Sequence, residues 1–140
     1  MPYAFSQTVD RLQQRSVMGP AWGAAPPRTP QEVFAHHVQA LAAGELDEIV
    51  ADYTDESFVV TADGVARGAD GVREVFVRLL TDVPNATWNV KTQIFEGDVL
   101  FLEWTADSAG SRVDDGVDTF VFRDGMIWAQ TVRYTARAKG

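Results

Sequence analysis

The sequence predicts an α+β domain in which helices pack on one face of a curved antiparallel sheet. Three observations lead there. Apolar stripes at helical spacing fill the chain from Thr29 to Pro84, and residues beyond Asn85 alternate with period two. Turn signals at Glu96-Gly97-Asp98 and Arg123-Asp124-Gly125 then cut that second part into hairpins. Helices followed mainly by long antiparallel strands settle on a single sheet face.

Residues 1–28 read differently from the rest. Phe5, Val9, Leu12 and Ser16 are spaced for one short helix, which Gly19-Pro20 ends, and Gly23-Ala24-Ala25-Pro26-Pro27 is a linker. The expectation is an arm over 1–28 and one domain over 29–140. Thr29-Pro30-Gln31-Glu32 opens a helix, because Thr29 can cap, Pro30 suits the first helical position and Glu32 completes a capping box. That helix runs to Ala43, with Gly44 as its C-cap. Val33, Phe34, His37, Val38 and Leu41 share its inner face. His36 falls on the other side and is expected to be solvated.

Leu46, Ile49, Val50 and Tyr53 form a second, shorter helical stripe that ends before Thr54. Ser57 to Ala62 is β-rich and bounded by Asp63-Gly64, so it is a strand. Gly68 to Gly71 opens a third helix, whose Val72, Val75, Phe76, Leu79 and Leu80 point inward. Strands follow over Thr87–Phe95, Val99–Asp107, Val113–Arg123 and Ile127–Ala136. Leu100, Leu102, Trp104 and Ala106 line the inner side of the second of these. The outer side carries Val99, Phe101, Glu103, Thr119 and Val121. That face is apolar for an exposed surface, and it predicts a homodimer through the outer sheet face.

One inner residue breaks the pattern. Asp118 shares a face with Phe120 and Phe122, where an ionised carboxylate is costly unless paired or protonated. The register of the following hairpin decides its neighbours. A two-residue Asp124-Gly125 turn sets Thr131 opposite Asp118 and turns Ile127, Ala129, Thr131 and Arg133 inward. A three-residue loop sets Gln130 opposite and turns Trp128, Gln130, Val132 and Tyr134 inward. The second set is more aromatic and buries no lone arginine, so the three-residue loop is expected.

Composition narrows the function classes. Hydrophobic residues at 46% and aromatics at 11% exclude a disordered chain. Twelve basic against 20 acidic residues give a net charge of −8, which disfavours nucleic acid and anionic lipid as partners. Without cysteine there is no thiolate nucleophile and no disulfide framework. The two histidines lie on opposite helix faces, so no metal site is expected, and no glycine-rich phosphate loop calls for a nucleotide cofactor. No apolar stretch suggests a leader or a membrane span, which makes a cytoplasmic protein the default.

The order of motifs resembles a known family. Ala40-Leu41-Ala42-Ala43-Gly44-Glu45-Leu46-Asp47-Glu48-Ile49-Val50, Asp55-Glu56-Ser57-Phe58-Val59-Val60, Arg67-Gly68-Ala69-Asp70-Gly71-Val72-Arg73-Glu74 and Asp118 to Ile127 are similar to the nuclear-transport-factor-2-like superfamily. Within it the resemblance is to the ketosteroid isomerase and SnoaL-like polyketide cyclase branch, over about residues 29–137. It implies a cone in which a bent sheet wraps three helices around one apolar pocket, usually in a dimer. It places Asp118 where an isomerase aspartic acid donates a hydrogen bond to the substrate oxyanion. His37 replaces the first-helix tyrosine, and Thr61 replaces the general-base aspartate. Threonine cannot shuttle a proton, so steroid isomerisation by the standard route is not expected. Val132 stands where a limonene-type epoxide hydrolase has an aspartate. A cyclase relying on one aspartate fits best.

The candidate catalytic residues are therefore Asp118, as an acid whose pKa burial should raise, and His37 as its partner. A buried Asp118 bonded only to Gln130, Thr131 or backbone is the structural alternative. Candidate substrate contacts are Tyr53, Thr61, Trp104, Phe120, Trp128, Gln130, Val132 and Tyr134, with the aromatics serving equally well as core. The expected function is a cofactor-independent enzyme acting by proton transfer on an apolar, carbonyl-bearing, polyketide- or steroid-like ring, through cyclisation, isomerisation or dehydration. The alternative is a non-catalytic ligand-binding or dimerising module of the same fold.

Overall fold

The computed structural model describes residues 26–140. The short helix expected from Phe5, Val9, Leu12 and Ser16 lies outside the described residues. Helix α1 spans Pro30–Ala43 and starts as its sequence dictates. The Thr29 hydroxyl accepts from the Glu32 N–H, the Glu32 carboxylate accepts from the Thr29 N–H, and Gly44 closes the helix in the left-handed region at φ 68°. Helix α2 (Leu46–Val50) is one turn long. Tyr53 does not continue it, because strand β1 begins there and runs to Thr61, four residues earlier than expected. Then come β2 (Gly64–Arg67), α3 (Gly68–Asp82), β3 (Thr87–Glu96), β4 (Val99–Asp107), β5 (Ser111–Arg123), β6 (Met126–Arg133) and β7 (Ala136–Ala138).

The strands form one sheet in the order β2-β1-β6-β5-β4-β3, with β7 pairing the start of β5. Every pairing is antiparallel except β1 with β6, which is parallel, so the sheet is mixed. Bulges within the β3–β4, β4–β5 and β5–β6 pairings bend it around the helices. The inner face and the helices share one core that includes Val33, Phe34, Ile49, Val72, Phe76, Leu100, Phe120 and Ile127. Leu100, Leu102, Trp104 and Ala106 are all buried, as the period-two pattern of β4 requires. Among the described residues no helix is long and apolar enough to cross a membrane.

The β5–β6 hairpin departs from both expected registers. Its turn is the two-residue one, with Asp124 at φ 53° and Gly125 at φ 77°, and Arg123 pairs with Met126. A bulge then adds one residue to β6, so Val121 faces Ala129 and Phe120 faces Gln130. The residue opposite Asp118 is Val132, not Gln130 or Thr131. Gln130 and Val132 still point inward, while Trp128 does not. Its ring lies under the Arg123 guanidinium at 4.2 Å and edge-on to Phe58.

His36 is not simply solvated. Its Nδ1 sits 2.7 Å from Asp52 Oδ2 and its Nε2 3.0 Å from Glu48 Oε1. Asp52 is 1% exposed and also accepts from Arg28 Nη1 at 2.9 Å. Arg28 donates in turn to the Gly125 carbonyl. This ionic cluster holds the approach to α1 against the β5–β6 turn, and it raises the His36 pKa, chiefly through the Asp52 hydrogen bond.

Candidate active site

Asp118 reaches the inner face because β5 alternates strictly, burying Gly116, Asp118, Phe120 and Phe122. Its cross-strand neighbours are Leu102 on β4 and Val132 on β6. Both carboxyl oxygens are held from the diagonals. Trp104 donates its indole N–H to Oδ1 at 2.8 Å, and Gln130 donates an amide N–H to Oδ2 at 2.7 Å. Behind Gln130, the Tyr53 hydroxyl donates to Gln130 Oε1. The two donors favour the anion, but burial outweighs them and pushes the Asp118 carboxyl up to about 7.

His37 enters the same cavity from α1. Rings of Phe34, Tyr53, Phe76 and Phe120 surround it, with centroids between 5.3 Å (Phe120) and 6.3 Å (Tyr53). Its Nδ1 is buried with no hydrogen-bond partner among the described residues. Burial pulls its pKa down to about 4, so the ring is neutral at pH 7. No hydrogen bond joins His37 to Asp118, whose bonds go to Trp104 and Gln130. The expected direct proton couple is absent. The two groups share a cavity instead.

That cavity measures about 50 Å³. Phe34, His37, Leu102, Trp104, Asp118, Phe120, Gln130 and Val132 form its buried wall. Val38, Leu41, Val75, Trp88, Asn89, Val90 and Tyr134, all partly exposed, form its open side. Of the expected contact residues, Trp104, Phe120, Gln130, Val132 and Tyr134 line it. Tyr53 stands behind Gln130 and acts through it. Thr61 instead lines a separate open depression of about 630 Å³, which Val132 and Tyr134 also border. Trp128 is on the far side of the sheet, for the bulge described above. Sequence reasoning missed Gly116, on which the Trp104 ring rests. Its spacing of two from Asp118 was the available signal.

A family model described as SnoaL-like domain matches residues 34–130. The chain belongs to the SnoaL-like domain family. No protein of curated function matches it. Among solved structures, the SnoaL-like fold is shared with an NTF2-like protein of unknown function from Burkholderia xenovorans LB400. That likeness has 21% identity and a TM-score of 0.62, covering 79% of this chain and 86% of that one. The epoxide hydrolase/cyclase-like enzyme SalBIII, with a role in pyran ring formation in the polyether salinomycin, is similar at 18% identity and TM-score 0.65, covering 76% and 90%. A ketosteroid isomerase candidate from Kribbella flavida DSM 17836 is similar at 11% identity and TM-score 0.63, covering 79% and 81%. At these identities the likeness is one of fold. The last two of these neighbours are named for different activities, so activity has to be read from the site itself. Among the described residues no group of three or more His, Asp or Glu is arranged to hold a metal ion.

Proposed function

We propose that this SnoaL-like domain is a cofactor-independent acid/base enzyme that enolises an apolar, carbonyl-bearing cyclic molecule. The observation that carries the reading is Asp118, buried in the wall of an apolar cavity and poised near neutrality with both oxygens fixed. At pH 7 such a carboxyl populates both forms, which suits a group that must take and return the same proton. The carboxylate would remove a proton from the carbon next to the ligand carbonyl, giving an enolate and the neutral acid. The acid would then deliver that proton to another ring carbon, in isomerisation, or to a departing hydroxyl, in dehydration. A neutral His37 can donate its ring N–H to the enolate oxygen, and its unpartnered nitrogen supports a polar ligand atom at that end.

A cavity of about 50 Å³ admits the reacting end of a ligand and not a whole polycycle. The molecule would therefore enter end-on, its remaining rings against Val38, Leu41, Val75 and Val90 at the open side. The small volume is also what favours the second reading, a non-catalytic module that binds a ligand without turning it over.

Exchange of α-hydrogens of a cyclic ketone for deuterium, followed by NMR, tests the two readings. The enzyme reading expects accelerated exchange that falls at least about 100-fold in Asp118→Asn. A ketone that binds but exchanges no faster than in buffer would leave the module. For assembly we propose self-association through the outer sheet face, where Ile94 (58% exposed), Val99 and Phe101 make an apolar patch. Light scattering of the wild type should give a dimer, and of Phe101→Glu a monomer. A monomeric wild type at micromolar concentration sinks this.

A further inference from the structure

Gly116 pairs with Trp104 across β4 and β5, two residues before Asp118 on the same face. A Cβ built on Gly116 would collide with Cδ2, Cε2 and Cζ2 of the indole. The backbone there is not in the left-handed region, so glycine is needed for space and not for its dihedral freedom. The indole thus lies flat on the β5 backbone. Trp88 and Tyr134 pack against it from the sides, with ring centroids 5.5 and 5.8 Å away. Held on three sides, Trp104 has its N–H aimed at Asp118 Oδ1.

We propose that Gly116 and Trp104 form one positioning unit: the bare strand backbone seats the indole, and the seated indole fixes the orientation and proton affinity of Asp118. Neither residue needs to take part in bond making. Gly116 acts only through Trp104, which acts through its N–H donor on the carboxyl while its ring walls the cavity. The donor stabilises the anion, so it holds the carboxyl below the value that burial alone would set. The inference rests on Asp118 being the working acid/base group, but its test needs no substrate.

Four tryptophans give four indole N–H signals in a ¹⁵N-labelled sample, and Trp104→Phe identifies the one that matters. In the wild type that signal should follow the titration of the Asp118 carboxyl carbon, with one shared midpoint. In Trp104→Phe, which keeps a ring and deletes the donor, the carboxyl midpoint should move up by about one pH unit. Gly116→Ala should move it the same way and shift the Trp104 signal toward that of an unbonded indole. If Gly116→Ala does not fold, Trp104→Phe decides. A folded variant whose Asp118 midpoint stays put overturns the unit. A wild-type Asp118 that titrates like an ordinary surface carboxylate overturns instead the acid/base reading on which the proposed function stands.

Discussion

Asp118 and His37 face one cavity with no hydrogen bond between them, and burial moves their proton affinities in opposite directions. The unfolded chain releases the Asp118 proton near 3.8, while the native state keeps it up to about 7. Between those values the native state is the more protonated, so this group's contribution to stability falls as pH rises. His37 is the reverse. The unfolded chain binds its proton near 6.5 and the native state only near 4, so its contribution falls as pH drops through that window. The two slopes oppose each other between about pH 4 and 6.5. Asp118→Asn should leave the His37 slope exposed, and the variant should lose stability on acidification more steeply than wild type, by up to about 1.4 kcal/mol per pH unit. His37→Phe should do the opposite, weakening as pH rises from about 4 to 7. Urea unfolding across that range measures both, and parallel curves for all three proteins would contradict the burial of either group.

The Tyr53–Gln130–Asp118 line predicts coupling. Tyr53→Phe leaves Gln130 Oε1 buried without a donor, at a cost of about 1–2 kcal/mol. Gln130→Leu strips Asp118 Oδ2 of its donor and costs a similar amount. Combined, the two should cost less than their sum by about 1 kcal/mol, because the second change removes a group the first has already orphaned. Additive losses in denaturant titrations would mean that the tyrosine does not act through the amide.

Arg28 should matter more than its half-exposed position suggests. It supplies charge to Asp52, which is buried, and a donor to the Gly125 carbonyl of the β5–β6 turn. Arg28→Ala is expected to cost about 2 kcal/mol, between the values for exposed and buried ion pairs. Among the described residues His36 then holds the only remaining charge on Asp52, so the penalty should grow as pH rises through the raised His36 pKa. Thermal melts of the variant at pH 6 and pH 8 show whether it does.

Trp128 provides a control on the hairpin register. With its ring under the Arg123 guanidinium and edge-on to Phe58 outside the cavity, Trp128→Ala should lose about 1 kcal/mol of stability. Affinity for any cyclic ketone that the wild type binds should be unchanged. A ligand lost with this ring would restore the three-residue loop and its inward tryptophan.

Much of the domain was legible where the cause is local. The capping box at Thr29 and Glu32, the glycine closing α1 and the alternation of β4 each depend on residues within a few positions of one another. Asp118 stood out for the same reason, a carboxylate in an otherwise aromatic β row. Tyr53 was misread because its spacing continues the Leu46–Ile49–Val50 stripe. The helix instead stops at Ala51, where Asp52 is claimed by Arg28 and His36 from across the fold. The extra residue in β6 leaves no comparable local mark, and it decided both what stands opposite Asp118 and where Trp128 points.

By itself the sequence determined the α+β class, the ends of α1 and the inward placement of Asp118 and His37. Only the tertiary structure decided that Trp104 and Gln130 hold the carboxyl, that Thr61 lies elsewhere and that His37 stands apart. The reason is range. Propensity, capping and alternation act within a turn or a strand pair. Who donates to a buried carboxyl depends on bulges, on sheet curvature and on the space left by one glycine on the next strand.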